Sequence, residues 1–222
     1  MKRCLAIIIS GGENVNTTNH LLIGKITYDY FERSLNVRLN ESRFLWGNIA
    51  PDYDLSLLRA VHTRENYWET AAEMLRQLSH RERGVPPPST RRFSVRLGIV
   101  CHFLADFFCY AHTPNFHGGL AKHIAHERRL ELYCRNHYPA LQRAVFPQLP
   151  LQSDAAEQAI GIIERLNDDF QSKPHSFESE ILGALAACSL AGQAALCSLG
   201  DSQCGPFALY SMDEIREVSN RI

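Results

Sequence analysis

Histidine and carboxylate recur at a spacing of four in one stretch of the chain, His102 to Glu127, which reads HFLADFFCYAHTPNFHGGLAKHIAHE and holds five of the ten histidines. His102 and Asp106 form one pair, His123 and Glu127 the other. On an α-helix this spacing stacks two side chains on one face, within reach of a single ion. Imidazole nitrogen and carboxylate oxygen are donors that a zinc-class cation takes, so each pair is half of a metal site. Between the pairs stand His112, a Thr113-Pro114 step that should end the first helix, and Gly118-Gly119, which permits a turn before the second. Two helices joined by this loop would bring the pairs together.

A structural explanation competes with this one. A lone buried histidine is more often a hydrogen-bonded core residue than a ligand, and His20 or His62 taken singly would carry no argument. A histidine and a carboxylate on an apolar helix are different, because they cost on the order of several kcal/mol if unpaired. They could satisfy each other as a plain hydrogen bond. Two such pairs with His112 between them favour metal binding over coincidence.

The elements that must position these residues read as helices. In HLLIGKITYDYFERSL the apolar positions 22, 23, 26, 30, 31 and 35 fall on one helical face, and Asn16, Thr17, Thr18 or Asn19 could cap it. WGNIAPDYD, with Gly47 and Pro51, reads as a loop delivering Asp52 and Asp54. A helix is expected from Asn66 to about His80, with Ala71, Ala72, Leu75 and Leu78 inward. RERGVPPPSTRR interrupts the pattern as a surface loop, and Ser89 or Thr90 could cap the next helix. That helix is apolar nearly all round from Arg92, as a central helix should be. The second helix of the metal segment continues through Leu130 to Tyr138, until Pro139, AAEQAIGIIERLNDDF follows as a helix from a cap at Ser153 or Asp154, and the helix FESEILGALAACSLAGQAALCSLG ends at Gly200. No strand-like alternation and no repeat is present, so the expected fold is an all-α, single-domain helical bundle over residues 1–222. Residues 20–127 bear the motifs and 128–200 supply supporting helices.

Composition restricts the partners. With 23 basic against 24 acidic residues the formal charge is -1, so no global field attracts duplex nucleic acid. No stretch approaches the roughly 18 to 20 apolar residues of a transmembrane segment. The start, MKRCLAIIISGG, lacks a small-x-small cleavage pattern after its apolar run, which favours an uncleaved N-terminus and a cytoplasmic location over a degenerate secretion signal. Seven cysteines without a C-x-x-C spacing read as buried free thiols.

The order of motifs from His20 onward, TNHLL, APD, the His62 segment, HFLAD, AHTP and HIAHE, resembles the zinc-dependent phospholipase C family of bacteria, whose helical fold is shared with fungal single-strand nucleases. The resemblance implies that Asp52, His62, His102 and Asp106 hold one zinc and that His112, His123 and Glu127 hold a second. Asp106 would also lean toward a third ion with His20. In the family an N-terminal tryptophan completes that third site, whereas here no Trp precedes Trp46. Asn16, Asn19 or a backbone carbonyl could substitute, or the site stays empty, so two or three ions are expected. Asp54 is an alternative to Asp52. His126 and His117 compete with His123 but lack a carboxylate four residues on; His126 reads as a solvated neighbour and His117 as a substrate contact.

The implied activity is hydrolysis of a phosphodiester. Zinc lowers the pKa of bound water toward ~7 and supplies hydroxide at neutral pH, while neighbouring ions neutralise the phosphorus centre. Asp52 or Asp106 could orient the attacking water, although both are ligands first. A small-molecule or phospholipid phosphodiester is the expected substrate, and the oligomeric state is open. Two alternatives stand beside it: a non-catalytic protein whose zinc only holds the bundle, and a zinc-dependent single-strand nuclease using Tyr53, Tyr67, Trp68, Tyr110 or Phe116 as base platforms.

Overall fold

The computed structural model of the protein describes residues 15–54, 61–80, 91–144, 146, 148–149 and 154–196. Among these residues there are seven α-helices and no strand: α1 Val15–Ser34, α2 Glu41–Gly47, α3 Arg64–Ser79, α4 Arg91–Phe107, α5 Leu120–Leu141, α6 Ala155–Ser172 and α7 Phe177–Leu196. Two 3-10 turns, Ala50–Asp52 and Tyr110–His112, link them. The all-α class expected from the periodicity is what the chain adopts.

Two helices occupy the middle. α4 is buried without a break from Val100 through its end, and α7 is buried at every position from Glu180 to Leu196. α7 packs on α1, α3, α4, α5 and α6, which explains a helix apolar all round. Its small residues admit aromatic rings close to its backbone: a Cβ on Gly183 would lie 2.3 Å from the Phe108 ring, and one on Gly192 2.0 Å from the Phe31 ring. α7 is also the one place, among the described residues, where a helix is long and apolar enough to cross a membrane, and 94% of that window is buried inside the bundle. Its apolarity is that of a core helix. The outer helices are two-faced, as α3 shows by burying Tyr67, Ala71, Ala72, Leu75 and Leu78.

Several boundaries differ from the sequence expectation, each for a local reason. α1 begins at Val15, so Thr17, Thr18 and Asn19 lie inside the helix instead of capping it. The segment before Asp52 is helical: Asn40 accepts from the Arg43 backbone N–H and starts α2, which runs to Gly47. Gly47 is not a loop residue but a contact point, since a Cβ there would lie 2.2 Å from the Val95 carbonyl of α4. α4 starts at Arg91 and stops at Phe107, before the Thr113-Pro114 step. The N–H groups of Phe108 and Cys109 turn to carbonyls three residues back, at 3.2 and 3.0 Å, and the chain tightens into the 3-10 turn that carries His112. Pro139 lies in the last turn of α5 and does not end it. Asp154 stands at the start of α6 without a side-chain cap bond. The N-terminal run, the proline-rich RERGVPPPST, Ser153, Gly200, Cys4, Cys197 and Cys204 lie outside the described residues. The cysteines described, Cys101, Cys109, Cys134 and Cys188, are free and buried.

Candidate metal centre

Asp106 is the hub of the site, 2% exposed on the inner face of α4. Its Oδ1 lies 3.1 Å from His20 Nε2 and 3.8 Å from His112 Nε2, and its Oδ2 lies 3.2 Å from His102 Nε2 and 3.3 Å from His62 Nδ1. Four imidazoles from four segments thus surround one carboxylate. Asp52, on its 3-10 turn, places Oδ1 3.6 Å from His102 Nε2 and 3.8 Å from His62 Nδ1. On α5 the spacing of four brings His123 Nε2 to 2.8 Å from Glu127 Oε1, and His112 Nε2 reaches the same oxygen at 3.4 Å. The ligand atoms fall into three groups here, each within 4.8 Å: His20, His102 and Asp106; Asp52, His62 and His102; and His112, His123 and Glu127. All eight residues singled out in the sequence are brought together.

The alternatives lie elsewhere. Asp54 and His117 are exposed. His126 is not a solvated neighbour: its Nε2 lies 2.7 Å from the carboxylate of Glu180, which is 2% exposed. Of the aromatic candidates, Tyr67 is core, stacked on Phe103 at 4.9 Å and edge-on to His62 at 5.0 Å. Tyr53 is half exposed and stacks on Trp46.

Backbone carbonyls decide which ring nitrogens face inward. His102 Nδ1 lies 2.9 Å from the Asn48 carbonyl, and because a carbonyl only accepts, Nδ1 carries the hydrogen and Nε2 turns a lone pair toward Asp52, Asp106 and His62. His112 Nδ1 donates likewise to the His62 carbonyl at 3.3 Å. A second residue adjusts the frame, since Asn19 donates from Nδ2 to the Glu127 carbonyl at 2.9 Å and fastens α1 to α5 beside His20. Of the two, Asn48 was not legible as a site residue and Asn19 was legible only in another role. Asn48 acts through its backbone, which no side-chain pattern reports, and Asn19 read as a cap or substitute ligand. The side chain of Asn16 lies outside the described part.

The donors are also those a cation would satisfy. Asp106 Oδ2, Asp52 Oδ2 and His20 Nδ1 are buried without a hydrogen-bond partner, and His62 Nδ1 faces His102 Nε2 at 3.0 Å. Burial disfavours the charged form of His112, but Asp106 and Glu127 outweigh it and raise its pKa to about 9. Burial likewise opposes ionisation of Asp106, yet His112, His102 and His20 hold its pKa well below the usual carboxylate range. His102 goes the other way, lowered by burial and by His20. A cluster of this kind asks for positive charge, and divalent ions fit its nitrogen and oxygen donors.

A family model described as zinc dependent phospholipase C matches residues 19–184. The chain belongs to this family. The match covers every residue of the centre and reaches past the motif-bearing part through α6 into α7, so the supporting helices are part of the family's fold as well. No curated protein and no solved structure matches the chain.

Proposed function

We propose that the protein is a zinc-dependent hydrolase of phosphodiesters, acting on a phospholipid or a small phosphodiester. The observation that carries this is Asp106, whose two oxygens are shared between two pairs of imidazoles, His20 with His112 and His62 with His102. Such a carboxylate is arranged to bridge ions. Asp52, His62, His102 and Asp106 would hold one zinc, His112, His123 and Glu127 a second, and His20 with Asp106 would contribute to a third. Bound zinc would supply hydroxide near neutral pH and positive charge for the phosphoryl oxygens.

The remaining work falls to residues of the chain. The Asn48 carbonyl keeps His102 in the ligating tautomer, and the edge-on rings of Tyr67 and Phe103 fix the plane of His62. Asp52 is the more exposed of the two aspartates, at 13% of its side chain, and its Oδ2 has no hydrogen-bond partner. Asp52, a ligand first, would also be available to orient an attacking water. A cavity of about 500 Å³ is walled by His112 of the centre with Thr63, Asn66, Trp68, Phe107 and Pro114 and the charged Arg64, Glu65 and Glu69, and would give a substrate group room beside that one ligand. The near-zero net charge favours a lipid or small phosphodiester over duplex nucleic acid.

The test is hydrolysis of phosphatidylcholine vesicles and of a small chromogenic phosphodiester by zinc-loaded, chelated and zinc-restored protein. Activity lost on chelation and recovered with zinc is expected, with Asp52→Asn reducing kcat by about a hundredfold or more. Zinc-loaded, folded protein that cleaves neither substrate would sink the proposal.

A further inference from the structure

Beyond the eight residues of the centre, the described residues hold one more group of metal-class donors. The ligand atoms of Cys109, His126 and Glu180 lie within 4.8 Å of one another. Cys109 and Glu180 are 7% and 2% exposed, and His126 is half-buried against the rings of Tyr110 and Phe177. The Glu180 carboxylate takes the Tyr110 backbone N–H at 2.8 Å and meets His126 Nε2 at 2.7 Å through the same oxygen. His175 stands next to them. Its ring lies 4.4 Å from that of Tyr110, the charges of Glu180 and His126 both act on it, and its Nδ1 is buried with no hydrogen-bond partner.

We propose that Cys109, His126 and Glu180 form a separate mononuclear site for a zinc-class ion, its fourth position open to a further ligand such as His175 or a water. The donor set decides the ion: thiolate, imidazole and carboxylate together suit zinc and cobalt, whereas magnesium and calcium take oxygen. The compactness matches that of the main centre, where His123 and Glu127 approach at 2.8 Å. An ion pair between His126 and Glu180 would account for two of these donors. It does not account for the Cys109 thiol held within 4.8 Å of both, nor for the buried His175 Nδ1, which has no hydrogen-bond partner.

The position gives such an ion a structural consequence. Cys109 precedes the 3-10 turn that carries His112, and His126 precedes Glu127, turned about 100° away from it around α5. One turn and one helix therefore serve two centres, back to back. Glu180 brings α7 into the arrangement, so an ion here would lock the turn of His112 and the α5 register against the core helix. Without a cation the thiol stays protonated, since burial and then Glu180, Glu127 and Asp106 all push its pKa up. A metal ion reverses that balance and takes the thiolate.

The test uses the whole protein, stripped of metal and reconstituted with cobalt(II) under reducing conditions. The main centre has only nitrogen and oxygen donors, so an intense near-ultraviolet sulfur-to-cobalt charge-transfer band reports the new site independently of any hydrolysis. Wild-type protein is expected to show the band and to bind one more equivalent of metal than Cys109→Ser, which should lack it. His126→Ala, on protein shown by circular dichroism to be folded, should weaken the band's cobalt affinity by about tenfold or more. A cobalt protein without the band, or one in which Cys109→Ser retains it, overturns the proposal whether or not the protein proves to be a phosphodiesterase.

Discussion

Gly47 and Gly98 meet where α2 crosses α4, so closely that a Cβ on Gly98 would lie 2.8 Å from the Gly47 Cα and 2.3 Å from the Phe44 carbonyl. The contact sets the height of the next residue, Asn48, whose carbonyl receives the His102 Nδ1 hydrogen. Helix packing and ligand orientation are thus one feature.

Gly98→Ala is expected to act on both. The added methyl meets backbone, which cannot move aside as a flexible side chain would, so destabilisation of about 1 to 3 kcal/mol is expected. The Asn48 carbonyl shifts with α2, and zinc affinity should fall by about ten- to a hundredfold, as when an outer hydrogen bond to a ligating histidine is lost. Denaturant titration and competition with a zinc-binding dye measure the two effects. Wild-type stability and affinity in Gly98→Ala would disprove the coupling.

Asn19→Ala tests the other tether. Removing its amide takes away the Glu127 carbonyl's second donor, beyond the N–H it receives within α5, at a cost of about 0.5 to 1.5 kcal/mol. Because α1 carries His20 and α5 carries Glu127, metal affinity should fall at the ions nearest these residues while the His62 and His102 group holds. Calorimetric zinc titration resolving the binding steps would show it, and a uniform loss at all steps would contradict it.

Chelated protein should respond to pH in a way the zinc form does not. His112 has a folded pKa of about 9 against about 6.5 unfolded. A raised pKa means that protonation stabilises the fold: the contribution is complete below about 6.5 and is lost as pH rises through about 9. Asp106, held below its usual range, describes the same attraction from the other side, present above about 4 and lost in acid, so the two are counted once. The melting temperature of chelated protein should therefore drop between about pH 6.5 and 9, by an amount worth up to roughly 3 kcal/mol. The zinc form should instead weaken as pH falls, because protons compete for its ligands. Parallel melting curves across that range in both forms would rule this out.

The site was more legible in the sequence than the boundaries of the elements that hold it. His102 with Asp106 and His123 with Glu127 are pairs that helical geometry alone brings together, and their spacing survives an error of several residues in where a helix ends. α4 stopping at Phe107 instead of before Thr113 illustrates this: His112 still arrives at the centre, but on a separate turn. α2 escaped notice because seven residues ending in glycine look like a loop, and only the tertiary contact at Gly98 shows why the glycine is there. Glu180 and Cys109 were opaque for another reason. They lie 71 positions apart, Cys109 read only as a buried free thiol and Glu180 on a helix read as plain packing, and the bundle's packing alone makes them neighbours.

Asp106→Asn is the sharpest test of the centre. The substitution keeps the shape of the side chain but replaces one of two equivalent oxygens by an NH2 group and removes the negative charge. Whichever way the amide settles, two of the four imidazoles that face Asp106 then meet a donor in place of a lone pair. Cations on either side would also repel each other with no anion between them. Metal content should consequently fall by more than one ion per chain, and hydrolysis with it, whereas Glu127→Gln should cost a single ion because only His112 and His123 share that carboxylate. Elemental analysis on protein shown by circular dichroism to be helical measures the difference. Equal losses in the two variants would mean that Asp106 serves one ion only, and full metal content in Asp106→Asn would mean that the spacing of four is structural and the ions sit elsewhere.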